Sequence, residues 1–266
     1  MKLAWLSDLH LDRVSEEKRQ IFYGQLGKED FGAAVITGDI SDAGHLAAHL
    51  RELARACGPR KVHFVLGNHD FYGSSLDEVD QAVAAVCRDE ANLLHLGQGE
   101  VVPLSEGTAL IGHRGWADGR AGWGWSSKLR NPDQFAIEDL LNLSKRAFFG
   151  KMAELGRASA RYFREVLPYS MKCYKHVIMA THVPPFTGAA FYNGKPCGGH
   201  HLPHYTNISA GGAIKAIAGS FRRSHVTVLC GHTHSRAALE VTENVKVQTV
   251  HARPGKPTIQ STFHLN

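Results

Sequence analysis

One stretch constrains the chain more than any other. Val62-His63-Phe64-Val65-Leu66 is a short apolar run that reads as a buried strand. Gly67-Asn68-His69-Asp70 follows with no spacer, a sharp turn and then three chemically able side chains. The same grammar recurs along the chain. Residues 2–6 run into Ser7-Asp8-Leu9-His10, and 33–37 into Gly38-Asp39. Residues 176–181 run into His182, and 226–230 into Gly231-His232-Thr233-His234. Helical patterns separate the first three runs, and strands alternating with helices predict an α/β sheet whose strand ends line up along one edge.

The intervening segments carry their own signals. A mixed pattern over 16–26 reads as a helix with Glu16 and Glu17 in its first turn. Asp42 is placed to cap a helix over 43–56 that Gly58-Pro59 stops. Ser75-Leu76-Asp77-Glu78 is a capping-box pattern for a helix to about 89. Short strands are expected at 93–96, 101–104 and 109–112, and a short helix over 209–221. A helical pattern from 134 to 167, with one or two breaks at Gly150 and Gly156, is expected to end at Pro168. The tail alternates at 237–241, 245–250 and 258–263, which suggests antiparallel strands closing a sheet. No repeat or Pro/Ser-rich linker divides the chain, so residues 1–266 read as one domain with an insertion at about 113–170.

Composition excludes little but sets the background. With 43% hydrophobic and 21% charged residues in 266, the chain can bury a sizeable core. A net charge of +5 suits an anionic substrate and is too weak to argue for nucleic acid by itself. Five scattered cysteines without a CxxC read as free thiols in a reducing compartment. No leader pattern or membrane-length apolar run is visible, so a soluble cytoplasmic protein that contacts no membrane is the expectation.

If the strand ends converge, they bring together Asp8, His10, Asp39, Asn68, His182, His232 and His234. These are oxygen and nitrogen donors without a thiolate, which suits Mn²⁺, Fe, Zn²⁺ or Ni²⁺ better than Ca²⁺. Seven donors are too many for one tetrahedral ion. They suit two ions about 3.5–4 Å apart that share a carboxylate. Such a centre stabilises the attacking and leaving oxygens of an in-line displacement and lowers the pKa of a bound water. Phosphoester hydrolysis is the reaction class that follows.

In that order, Asp8-Leu9-His10, Gly38-Asp39, Gly67-Asn68-His69-Asp70, His182 and Gly231-His232-Thr233-His234 resemble the five motifs of the calcineurin-like metallophosphoesterases. The resemblance implies a two-sheet β-sandwich flanked by helices. It implies that Asp8, His10, Asp39 and His234 hold one ion, that Asp39, Asn68, His182 and His232 hold the other, and that Asp39 bridges. It implies a metal-bridged hydroxide as nucleophile, His69 as proton donor to the leaving oxygen and Asp70 as the residue orienting His69. Departures narrow the branch. Ile40-Ser41-Asp42-Ala43-Gly44 and Asp70 stand where protein phosphatases of this group carry a different pattern, with Arg after the second motif and Glu after Asn-His. Position 42 is Asp where purple acid phosphatases need Tyr, and position 69 is His where the UDP-diacylglucosamine pyrophosphatases have Arg. Residues 235–266 are too few for the DNA-binding cap of the repair nucleases. A phosphodiesterase is the expectation, with a phosphomonoesterase, a nuclease and a non-catalytic scaffold as alternatives.

The 113–133 stretch, rich in Trp, Gly and basic residues, is either packing or a substrate border, with Trp116 and Arg120 as candidate contacts. The loop over 183–207 follows a candidate ligand directly, and His200, His201 and His204 are candidates there to touch the substrate or to support a ligand. Three Trp could stack on bases, so a nucleic-acid substrate stays open without being favoured.

Overall fold

Alternation within each strand decides what its two faces cover. A computed structural model describes residues 1–253 and 255–265. In β1 (Lys2–Leu6), Leu3 and Trp5 face one way, Ala4 and Leu6 the other. The same division holds in β2 (Ala33–Thr37) and β3 (Lys61–Val65), which run parallel to β1. β4 (Leu93–His95) and β13 (Ser261–His264) complete this sheet in the order β13-β1-β2-β3-β4. The second sheet contains β5 (Val102–Pro103), β6 (Thr108–Gly112), β7 (His176–Ala180), β10 (His225–Cys230), β11 (Ala237–Thr242) and β12 (Val245–Thr249). Its order is β11-β12-β10-β7-β6-β5, and the 183–207 loop holds a separate ribbon, β8 (Phe191–Tyr192) with β9 (Lys195–Pro196), and the single turn α6 (Leu202–Tyr205).

Leu3, Trp5, Val35, Val65, Leu110, Ile178 and Leu229 form the core between the sheets. Each sheet's other face is covered by helices. α1 (Glu16–Lys28), α2 (Ala43–Cys57) and α3 (Leu76–Asp89) bury Phe22, Leu50 and Val83 against Leu6, Ile36 and Phe64 of the first sheet. α5 (Lys145–Cys173) and α7 (Ile208–Ala218) bury Phe163, Leu167 and Ile214 against Val177, Met179 and Val228 of the second. The expected two-sheet sandwich flanked by helices is the observed architecture. The caps at Asp42 and Ser75 form as expected, accepting from the His45 and Glu78 amides at 3.1 and 3.3 Å.

Two expectations need correcting. Pro168 does not end the long helix and Gly150 and Gly156 do not break it; α5 runs through all three to Cys173, and Gly156 serves the close approach of Asp118 instead. Buried Val166, Leu167, Ser170 and Met171 lie on both sides of the proline, and their packing outweighs a local penalty of roughly 3 kcal/mol. Arg164, whose carbonyl loses its ladder donor, is exposed, so water can take that bond. The helical pattern before Lys145 resolves instead into α4 (Asp133–Ala136) and a single 3₁₀ turn. The tail strands also do not form one antiparallel set. β12 pairs parallel to β10 and antiparallel to β11, whereas β13 crosses to the other sheet and pairs with β1.

Candidate metal centre

The C-terminal ends of β1, β2, β3, β7 and β10 meet along one edge of the sandwich, because these strands are parallel within their sheets. The backbone there is unusual. Asp8, His10, Asp39, His232 and His234 all have left-handed φ, between 42° and 70°. Only Asn142 and Asn193 join them among the described non-glycine residues. Each such residue costs about 1–2 kcal/mol, and strain of this kind clusters where a side chain must be aimed. The turns are braced together: the Asp8 amide donates to Gly38 O at 2.9 Å, and the His10 amide to Asp39 O at 3.0 Å. Close approach explains two of the glycines. A Cβ on Gly67 would collide with Asp39 Oδ1, and one on Gly231 with Ser7 Oγ and Asp8 Oδ2.

Asp8, His10, Asp39 and His234 bring one donor atom each within 4.8 Å of one another. His234 Nε2 lies 3.2 Å from Asp8 Oδ1 and 3.1 Å from His10 Nε2. Burial works to raise both carboxyls, but the surrounding imidazoles outweigh it and hold Asp8 below, and Asp39 well below, the usual carboxylate range. Both therefore stay anionic as donors.

A second group lies on the other side of Asp39. His182 Nε2 is 3.3 Å from Asp39 Oδ1 and 3.2 Å from Asn68 Oδ1. His232 Nδ1 is 3.0 Å from the same Asn68 oxygen and 3.2 Å from His182 Nε2. Each of these side chains is fixed from behind. His182 Nδ1 donates to Thr37 O at 2.8 Å, His232 Nε2 to His204 O at 2.9 Å, and Asn68 Nδ2 to Asp133 Oδ1 at 2.8 Å. Those bonds settle the tautomers and the amide orientation. They turn His182 Nε2, His232 Nδ1 and Asn68 Oδ1 toward one point. Burial opposes a charge on His182, yet Asp39 raises it to about 9, while burial and His182 push His232 down to about 4. One proton on His182 thus sits where the donor set calls for a cation. The residues present fit two ions, with Asp39 offering one oxygen to each group.

His69 stands beside both groups, its Nε2 4.0 Å from Asp39 Oδ2. Arg13, which the sequence reading passed over, donates to His69 Nδ1 at 3.1 Å, so the ring proton sits on Nε2. Burial pushes His69 down to about 4, partly opposed by Asp39. The expected partner is not there: Asp70 does not orient His69. Its carboxylate accepts from the backbone amides of Ile40, Ser41 and Gly67 at 2.7–2.9 Å, because the 3₁₀ turn at His69–Phe71 directs it inward. Asp70 clamps the β2 and β3 turns together.

The centre opens into a cleft of about 440 Å³, walled by Tyr72, Arg130, Asp133, Tyr192, His201 and Tyr205 among others. Of the four residues expected at the substrate, His201 lines it, stacked on Tyr192 with ring centroids 4.6 Å apart. Trp116 is instead buried in the core against Phe71, because its large apolar ring fills the space behind the β3 turn. Arg120 lies outside this cleft and donates to Ser209 Oγ at 3.1 Å. His200 packs on Trp123 and accepts from the Lys128 amide at 3.0 Å, also outside it. His204 stands behind the site, its carbonyl accepting from His232, whereas Asp133 was missed. Asp133 follows Asn131-Pro132 in a segment with no ligand-like spacing, so its local sequence carried no signal.

A two-sheet sandwich with two donor groups sharing a carboxylate at its strand ends defines a metal-dependent phosphoesterase. The calcineurin-like phosphoesterase profile matches residues 1–236, and the chain belongs to that family. It is a metal-dependent hydrolase of phosphoesters, and the family implies two divalent ions. The fold is similar to that of a dimetal phosphatase from Danio rerio, with 12% identity and a TM-score of 0.59 over 94% of this chain and 87% of that one. It is also similar to TT1561 of Thermus thermophilus, with 14% identity and a TM-score of 0.50 over 93% and 88% of the two chains. Comparison with curated proteins gave no match. No described helix is long and apolar enough to cross a membrane.

Proposed function

We propose that the chain is a phosphodiesterase in which Asp8, His10, Asp39 and His234 hold one divalent ion and Asp39, Asn68, His182 and His232 a second. The observation that carries the diester reading is the sparse positive charge of the cleft. Arg130 is the one guanidinium or ammonium among the described lining residues. A monoanionic diester needs less compensation than a dianionic terminal phosphate. Two ions held there supply Lewis-acid charge and an acidified water. With Arg13 at Nδ1, His69 turns Nε2 toward the leaving oxygen; as the acid it gives up the Nε2 proton of its imidazolium, the form an anionic phosphoester favours, and is left neutral. His201, with Tyr192 and Tyr205, forms a ring-lined wall for an ester arm.

The nitrogen and oxygen donors favour Mn²⁺ or Fe, with Zn²⁺ or Ni²⁺ as alternatives. Five free cysteines support a reducing, cytoplasmic setting. The core shared by both sheets supports reading residues 1–266 as one domain. A nuclease is the second reading, favoured by Trp123 and Trp125, which are 58% and 69% exposed beside Lys128 and Arg130. A panel with added Mn²⁺ separates these: bis-p-nitrophenyl phosphate, p-nitrophenyl phosphate, a cyclic nucleotide and single-stranded DNA. The diester is expected to turn over fastest. Monoester-only activity would sink the diesterase reading, preference for DNA would select the nuclease, and silence on all four would point to a scaffold.

A further inference from the structure

The two donor groups are not built alike. Asp8, His10, Asp39 and His234 come from strand ends, and their turns are braced by one another. The other group depends on a segment far along the chain from Asn68. Asp133, at the start of α4, is buried and reaches Asn68 from behind, accepting from Nδ2 at 2.8 Å. The same Asp133 oxygen accepts from Tyr72 OH at 2.8 Å. The Asp133 amide donates to Asn131 Oδ1 at 2.9 Å, which holds the carboxylate in place. Asn131 Nδ2 and Ser127 Oγ both lie 3.3 Å from ring nitrogens of His204. The carbonyl of His204 accepts from His232 Nε2. Residues 127–133 therefore stand behind two of the donors, Asn68 directly and His232 through His204.

We infer that residues 127–133 complete one of the two metal subsites, and that Asp133 is the positioning residue that aims Asn68 Oδ1 into it. The inference rests on the two-metal reading of the centre. The physical reason is specific to an amide. Asn68 has one oxygen that can bind a cation and one NH₂ that repels it, and free rotation presents either. A carboxylate fixed behind Nδ2 leaves only the oxygen forward. Groups that orient a ligand in this way typically contribute about 10–100-fold in metal affinity. Among the described residues no hydrogen bond joins Asp8, His10, Asp39 or His234 to Asp133, and only the charge of the shared Asp39 reaches it, so the affinity of that group should follow far less.

The test is Mn²⁺ titration of the metal-stripped full chain by calorimetry, with the thermal midpoint of the stripped protein measured alongside. Wild type is expected to bind two ions. Asp133→Ala should weaken one of them about 10–100-fold and leave the other within about twofold. Asp133→Ser, polar but too short to reach the amide, is the second deletion variant. Asp133→Asn keeps an acceptor oxygen and should bind both ions nearly as wild type does. Asn68→Ala should mimic Asp133→Ala, and the double variant should lose no more than Asn68→Ala alone, because Asp133 acts through Asn68. Wild type that takes up a single ion would overturn the two-metal reading and the inference with it. Two unchanged affinities in a folded deletion variant would overturn the inference alone. So would equal weakening of both ions, or additive losses in the double variant.

Discussion

His63 is a histidine in the wrong place for a charge. It lies on β3, which carries the Gly67-Asn68-His69 turn, and its residue is 4% exposed. Its Nδ1 is buried with no hydrogen-bond partner among the described residues. Burial, helped by Lys61, pushes it down to about 4 from an unfolded value near 6.5. The unfolded chain therefore binds a proton that the folded chain refuses, and stability falls as pH drops between those values. The stabilisation is complete above about pH 6.5 and fully lost below about pH 4. At about 1.36 kcal/mol per unit the ceiling is roughly 3 kcal/mol. Between pH 7 and pH 5 the loss is about 2 kcal/mol, against a total of roughly 5–15 kcal/mol for a typical protein. His63→Leu removes the titration and fills the same apolar layer. Urea unfolding of metal-stripped wild type and His63→Leu, followed by Trp fluorescence at pH 7 and pH 5, reads the difference. Other buried histidines contribute equally to both proteins and cancel. The wild type is expected to lose about 2 kcal/mol more than the variant over that interval. An equal loss in both would refute the reasoning.

Three further outcomes are expected. His69→Asn should retain Mn²⁺ uptake and lose about 10²–10⁴-fold in turnover of an alkyl phosphodiester, with a smaller loss on a p-nitrophenyl ester; undiminished alkyl turnover would remove His69 as the acid. Asp70→Ala leaves the amides of Ile40, Ser41 and Gly67 without their acceptor, so chemical denaturation should show a loss of at least roughly 3 kcal/mol, and a neutral substitution would contradict the clamp. Mn²⁺ at about 100 times its dissociation constant should stabilise the stripped protein by roughly 2.7 kcal/mol per ion in thermal melts, reversed by EDTA; an unmoved midpoint would mean the donor groups hold no ion.

What could be read in advance was what is local in the chain. Apolar runs such as Ala33–Thr37 are buried on both faces, so their strand character is written in consecutive residues, and the turn that follows each is marked by its own chemistry. Asp8, Asp39 and His232 were legible for that reason. The way the chain closes on itself was not. Asp70 looked like the partner of His69 because it is next in sequence, but a 3₁₀ turn sends neighbouring side chains in different directions. The actual partner, Arg13, is 56 residues away, and Asp133 is 65 residues from the amide it holds. Trp116 shows the same limit from the other side. A Trp among glycines has the same local signature whether its ring borders a cleft or fills a core, and only the position of Phe71 decides. Pro168 fails for a related reason: propensity is local, whereas the packing of Val166 and Met171 on the second sheet is not. The proposed ligand set of this centre is therefore a property of five short motifs. Ligand aim is a property of segments whose own sequence says nothing about metal, and divergence within such a family can change the second without touching the first.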